Sequence, residues 1–510
     1  MSSETTPQKV ALTDRQITQI VAGLMITILL GGLEQTIVAV ALPLMSSDLS
    51  GVEYLAWVVS SYLIAVTVST PIYGKLGDIY GRRIMMISAI FIFMAASIFC
   101  AVAPTMPLMI LARVLQGIGG GGLLSVSQTI IGDVVSPRER GRYQGYISTA
   151  FALASVIGPA AGGLLTEYAS WHWIFWINVP LCMLAYLISI RTLKHLPVPH
   201  MKRSVDALGA LLLMVGLTTL LIAISRIGHG VALSESTNVI MLSLSVVILA
   251  AFVWQEQRAK EPIIPLSLLR NRHVAASCAL LFIAFVQLIG LSIFIPLRLQ
   301  MLTTAGADGA AIQLLPMSIA IPFGAYIGGT LMTRMGRYRG IELVGAIIVP
   351  IFVMLTAYTP ADADLLVILN TVLAGLGIGL QLPTATVAAQ NAVARHHLGV
   401  VTAVASFSRS VGAAVGIAVL TAVLFALLQA LVPQGQLNTS AADIVSEMVS
   451  GRMQGISAAD QAVLVSGAAQ AFRQVFSYSA LFALLSIVVC LVVPEQKLSE
   501  KRPDHPSAHS

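Results

Sequence analysis

The sequence predicts an all-α membrane protein of two six-helix bundles plus an inserted helix pair, and three observations predict it. Hydrophobic residues make up 57% of the 510 residues and charged residues only 10%, with a mean hydropathy of +0.87. A soluble domain carries roughly 25% charged residues, and a soluble chain of this length could not hide so much apolar surface. The apolar residues fall into about fourteen runs long enough to cross a bilayer. Finally, a glycine- and arginine-rich pattern occurs once in each half of the chain, as in membrane folds built from internal repeats.

Taken in order, residues 1–16 form a polar tail. The run at 17–43 is too long for a signal-peptide core and lacks a small-residue cleavage site, so it is expected to remain as the first helix. Runs at 17–43, 54–74, 84–103, 107–130, 145–166 and 174–192 make an N-terminal bundle over 17–195. Runs at 205–225 and 237–255 make the inserted pair, within a linker over 196–262 whose flanks are charged and proline-rich. Runs at 274–296, 310–332, 341–358, 364–388, 399–428 and 473–493 make the C-terminal bundle over 263–495. A polar excursion at 429–472 belongs to the outer face, and 496–510 form a second tail.

With the first tail inside, an even count returns the second tail to the same side. Lys75, Arg82, Arg83, Arg138, Arg140, Arg142, Arg334, Arg337 and Arg339 then lie in cytoplasmic connections, against Arg226, Arg298, Arg452 and Arg473 outside. This is the positive-inside asymmetry. It also accounts for the net charge of +6 without nucleic acid, because the basic residues form short clusters and no stripe interleaved with aromatics. Cys100, Cys182, Cys278 and Cys490 are widely spaced inside apolar runs, which suits packing and neither a disulfide framework nor a metal site.

The repeated pattern is Gly74-Lys75-Leu76-Gly77-Asp78-Ile79-Tyr80-Gly81-Arg82-Arg83, with an echo over Gly328–Arg339 in which Thr333 replaces the acid. The first copy resembles the loop between helices 2 and 3 of the major facilitator superfamily. Leu111-Ala112-Arg113-Val114-Leu115-Gln116-Gly117 and Gly158-Pro159-Ala160-Ala161-Gly162-Gly163 resemble the helix-4 motif of its proton-coupled members and the helix-5 motif of its antiporters. Two stretches, Leu33–Pro43 and Trp171–Pro180, resemble signatures of the fourteen-helix drug:proton antiporters, with Glu34 where aspartate is usual. Ala154 replaces a glycine that often precedes the helix-5 motif. The resemblance implies multidrug efflux from a cytoplasmic (inner) membrane, of a bacterium by expectation, with protons and a lipophilic small molecule as partners and a monomer as the working unit.

Glu34 is the one acid read as deep inside a span, and such a group is by default functional. Two readings stand: a carboxyl that loads and releases a proton, or a permanent salt bridge. Arg113 falls at nearly the same depth, roughly 9 Å from the outer end against roughly 13 Å for Glu34 at ~1.5 Å per residue, so the two are candidate partners in proton coupling. Gly74, Asp78, Gly81, Arg82 and Arg83 are expected to set conformational balance, with Gly158, Pro159, Gly162 and Gly163 sealing the interface of the halves. Arg409 lines an inner gate or joins helices. Gln35, Trp57, Tyr62, Gln287, Asn370, Gln381 and Phe407 are the nominated cavity residues, each also readable as helix-to-helix glue.

The glycine run Gly117–Gly122 lacks the lysine and hydroxyl of a phosphate loop, so no cofactor or metal is expected and the driving force is an ion gradient. No catalytic constellation is present, which argues against a membrane enzyme. A dedicated exporter of one metabolite or lipid shares every motif above, whereas a receptor has no need of Glu34 and Arg113 at one depth. With a single deep carboxyl, one proton per cycle is expected, and neutral or monocationic lipophiles are expected to be preferred over dications.

Overall fold

The computed structural model describes residues 13–49, 54–196, 206–228, 231, 234–259, 261–303, 307–394, 397–431, 458–492 and 495–498. Helix α1 (Asp14–Asp48) opens with a capping box, in which the Thr13 hydroxyl accepts from the Gln16 amide and the Gln16 side chain accepts from the Thr13 amide. It is followed by α2 (Leu55–Tyr80), α3 (Arg82–Ala101), α4 (Met106–Val134), α5 (Arg140–Tyr168), α6 (His172–Trp176) and α7 (Asn178–Thr192). The expected sixth span is thus interrupted at Ile177. In this bundle α4 packs against α2 and α3, and α1 packs against α5 and α7.

The inserted pair is a hairpin, α8 (Ala207–Gly228) and α9 (Ser236–Glu256). Arg226 ties one end of it by donating to Asn238 Oδ1 and Glu235 Oε1, both at 2.9 Å. The hairpin rests on α2 and on the helix Leu398–Leu431 of the second bundle. At its other end Lys75 Nζ lies 3.1 Å from Glu261 Oε2, joining the returning chain to α2.

The second bundle runs through α10 (Leu266–Arg270), α11 (Arg272–Leu302), α12 (Ala307–Met335), α13 (Arg339–Tyr358), α14 (Asp364–Asn391), α15 (Leu398–Leu431), α16 (Ala458–Ala483) and α17 (Leu485–Val492). Here α12 and α13 pack on α14, and α11 on α15. The bundles meet along two seams, α5 on α12 and α2 on α15.

Among the described residues, thirteen helices are long and apolar enough to cross a membrane. The expected fifth span is not one of them, although α5 is 29 residues long, about 43 Å at ~1.5 Å per residue. Its glycines, serines and threonines lower its hydropathy, and it lies between α1 and α12.

Other expectations need correction. The charged connection at 74–83 is not a loop, because α2 stays helical to Tyr80 and α3 begins at Arg82. One residue, Gly81, makes the reversal at φ 93°, a region that only glycine enters freely. Its counterpart Gly336 has φ 63°. The final span starts earlier than expected, since 458–472 are already helical in α16, while 432–457 lie outside the described residues. Arg298, expected in an outer connection, lies within α11 and is buried; it donates to the Thr356 and Thr359 carbonyls that close α13.

Candidate functional site

Glu34 of α1 and Arg113 of α4 form an ion pair in the N-terminal bundle, with side-chain exposures of 0% and 1%. The guanidinium has further acceptors, from its Nη1 to Gln116 Oε1 at 2.7 Å and from its Nε to the Val58 carbonyl at 3.0 Å. The Tyr62 ring covers it at 4.3 Å. The second Glu34 oxygen accepts from Asn178 Nδ2 at 2.6 Å, and Asn178 also reaches Ser97 Oγ at 3.2 Å. Gln116 Nε2 donates to the same Ser97 hydroxyl at 2.7 Å. Five helices, α1, α2, α3, α4 and α7, therefore converge on one buried ion pair. A carboxylate persists in an apolar interior only when paired and hydrogen-bonded.

The glycine run of α4 explains how the helices come so close. A Cβ on Gly117 would lie 2.5 Å from the Tyr62 carbonyl oxygen, and one on Gly119 2.6 Å from the Phe93 nitrogen. These glycines are a packing face for α2 and α3.

A second constellation lies at the basic end. Asp78 pairs with Arg82 one turn on, and Arg82 Nε reaches Asp133 Oδ2 at 2.9 Å. The other Asp78 oxygen crosses the seam and accepts from the Val400 amide of α15 at 3.2 Å. Beside it, a Cβ on Gly74 would stand 2.8 Å from the Gly399 carbonyl and 2.6 Å from Ala403 Cβ. The opposite seam repeats the plan, with a Cβ on Gly141 2.7 Å from the Gly329 carbonyl. Arg138 closes it by donating to the Thr333 and Arg334 carbonyls at 2.7 and 2.9 Å. Arg83, partly buried, makes no bond across either seam among the described contacts.

Asp78→Asn tests this latch. Arg82 keeps Asp133, so the fold should survive, while the bond across the seam loses its charge. Charged hydrogen bonds contribute about 1.5–3 kcal/mol, enough to shift the conformational balance roughly tenfold or more. Transport should slow with ligand affinity in detergent unchanged; a large loss of affinity in folded protein contradicts the assignment.

Gly158 and Gly162 do not face the interface between bundles. Side chains there would collide with Thr36 and with the Ile37 carbonyl of α1, in the same bundle. Pro159 and Gly163 lie on the same stretch of α5. Arg409 does bridge the bundles, donating to Gln128 Oε1 of α4 at 3.1 Å and to Ser406 Oγ at 2.6 Å. Of the nominated cavity residues, Tyr62 joins the Glu34 cluster. Gln287 exchanges bonds with Ser479, and Asn370 donates to Thr359, so both join helices inside the C-terminal bundle. Gln381 is buried against its own helix. Gln35, Trp57 and Phe407 are half-buried and remain available.

Asn178, Gln116, Ser97 and Asp133 were given no role by sequence reasoning. Asn178 and Gln116 stand inside the Trp171–Pro180 and Leu111–Gly117 stretches, and Gln116 follows Arg113 at the i,i+3 spacing that faces one side of a helix. Ser97 and Asp133 carry no such signal. Glu34 is also not the only buried acid, because Glu256 and Glu342 are each 4% exposed. Glu256 caps the chain after α9 by accepting from the Ile263 and Ile264 amides.

Comparison with known proteins agrees with this architecture. The chain is 34% identical over 394 residues to Multidrug resistance protein 3 of Bacillus subtilis, covering 77% of each chain. It is 33% identical over 319 residues to the Acurin A biosynthesis cluster MFS-type transporter of Aspergillus aculeatus, covering 61% of this chain and 58% of that one. The human organic anion transporter MFSD10 (TETRAN) shares the fold, with a TM-score of 0.60 over 93% of this chain and 99% of that one at 15% identity. Residues 24–417 match the Major Facilitator Superfamily, and with a relative of this similarity and coverage beside that match, the chain belongs to the major facilitator superfamily as a multi-pass membrane transporter.

Proposed function

We propose that the protein exports amphipathic small molecules across a bacterial cytoplasmic membrane in exchange for protons, working as a monomer by alternating access. The observation that carries this reading is the Glu34–Arg113 pair, in which Arg113 already holds Gln116 and the Val58 carbonyl. When Glu34 takes up a proton, Arg113 loses its counter-charge, and its two neutral acceptors and covering aromatic ring offset only part of that cost, so protonation disfavours the arrangement in which the two are packed together. The proton and the substrate then bias the two arrangements of the bundles in opposite directions. Those bundles are taken as 17–195 and 263–495, joined by the linker at 196–262, with fourteen spans and both termini on the cytoplasmic, basic side. The Asp78 and Arg138 seams form the gate there, with Arg409 above it. Gln35, Trp57, Tyr62 and Phe407 are the side chains we assign to the cavity. The relative named as a multidrug resistance protein supports a broad substrate range.

Dye efflux from cells expressing the protein, with and without a protonophore and with ATP maintained, tests this. Efflux should collapse with the protonophore; indifference to it sinks proton coupling. The biosynthesis-cluster relative favours a second reading, a dedicated metabolite exporter. That reading gains if chemically unrelated dyes are all retained while the protein is expressed and folded.

A further inference from the structure

Glu342 lies in the first turn of α13, on the opposite bundle from Glu34, and nothing described above uses it. Its Oε1 is buried with no hydrogen-bond partner. His273 Nδ1 is likewise buried and unpartnered, and the buried Tyr338 hydroxyl meets the Gln496 backbone amide but no side chain. All three residues line one small cavity, closed by Ser277, Ala388 and Cys490, with room for about one water molecule. The carboxyl oxygen and the ring nitrogen, facing a water-sized space beside the tyrosine hydroxyl, fit one bridging water, since buried polar groups are almost always satisfied.

We propose that Glu342, Tyr338 and His273 form a second proton-binding site, in which Glu342 holds the proton as a neutral acid. Every neighbouring charge is engaged elsewhere. Arg339, on the same helix, donates to the Cys490 and Leu491 carbonyls at the end of α17. Arg337 lies 3.6 Å from Glu495. From α11 the titratable group is His273, from α17 it is Cys490, and α14 contributes only Ala388 to the cavity. A bare carboxylate here would have no cation to pair with, the costliest way to bury it. The neutral acid, by contrast, can donate to a water that also joins the tyrosine hydroxyl and the imidazole.

His273 supplies the route. Gln496 Nε2 lies 3.1 Å from His273 Nε2. An amide nitrogen only donates, so Nε2 accepts and the ring proton sits on Nδ1, towards the cavity. Once the Gln496 contact is released, a proton taken up at Nε2 from the basic face makes the imidazolium, Nδ1 gives its proton through the water to Glu342 Oε1, and the neutral ring regains its first tautomer by exchange with solvent at Nε2. The segment at 495–498 lies over this entrance, held by Leu498 N on the Gly336 carbonyl at 3.0 Å.

Two carboxyls, one in each bundle, remove the reason to expect a single proton per cycle. Exchange of a dication for two protons moves no net charge. This role in export rests on the proton-coupled reading above; occupancy of Glu342 by a proton does not.

Infrared difference spectra of the purified full chain, recorded through a pH series, test the site by the carbonyl stretch of a protonated carboxyl. That band should be present at neutral pH, lose one component in Glu342→Gln and keep that component in Glu34→Gln. Tyr338→Phe should shift the pH at which it disappears. In proteoliposomes, Glu342→Gln should lose dication export driven by a pH gradient while monocation export continues. A band unchanged in shape and amplitude in Glu342→Gln overturns the site. So does an unshifted titration in Tyr338→Phe, which decides the matter alone if the glutamine variant does not fold. Unchanged dication export with that component lost overturns the role in export. Normal export by Glu34→Gln with the Glu342 band intact overturns the main coupling site and leaves this one standing.

Discussion

Glu34→Gln should abolish export that responds to a pH gradient, and Glu34→Asp should retain part of it. Glutamine preserves the size of the side chain and an acceptor for Asn178, but it cannot exchange a proton. It also leaves Arg113 without its acid. Removing one partner of a buried ion pair costs about 3–5 kcal/mol of stability, so the melting temperature should fall. A structural and a functional role separate in the double variant Glu34→Gln, Arg113→Gln, where no uncompensated charge is left in the bundle. Stability should return towards wild type, because a buried pair contributes little against neutral replacements of similar volume, while export stays absent. If the double variant recovers both, or Glu34→Gln exports normally and still responds to pH, the carboxylate is a structural group and the main assignment fails.

Gly74→Val should lower transport at least about tenfold without unfolding the protein. The glycine sits where α2 meets α15, against the Gly399 carbonyl and the Ala403 methyl. Backbone cannot turn aside as a side chain can, and over-packing of this type costs about 1–3 kcal/mol. That cost falls only on the arrangement in which the basic end is closed, so the equilibrium moves away from it. Labels at Tyr80 and Met335, both exposed at the basic end, should report a wider separation than in wild type. Ala403→Gly in the same chain should restore part of the activity, since it removes the methyl but leaves the carbonyl. Unchanged label distances together with normal transport exclude this seam as a gate.

Much of this was legible in the order of residues. Span positions follow from apolar runs interrupted by arginine clusters, and the shared depth of Glu34 and Arg113 follows from counting along two helices of opposite direction. The rest depended on contacts between distant parts of the chain. Asn178 reaches Glu34 from 144 residues away, and nothing local distinguishes its amide from any other in an apolar run. Gly158 and Gly162 read as a smooth helix face, but which helix would meet that face was open until α1 was placed against it. Glu342 was overlooked for a different reason. One turn inside a helix, beside Arg339, it reads as an interfacial residue, and only the packing of α11, α14 and α17 around it closes off water.

The bareness of the two seams has a kinetic side. Where Gly74 meets Gly399 and Gly141 meets Gly329, main chain lies on main chain, and glycine has no rotamers to freeze when the halves come together. Interlocked leucines would have to disentangle at each opening, a slow step with a large loss of contact area. Bare backbone can part and rejoin with little reordering, as a smooth bearing does. With these seams as the proposed gate, its hold comes from a few directional bonds at Asp78 and Arg138, whose combined strength is of the order that one bound molecule can counter. A transporter built this way can turn over quickly and still wait for its cargo.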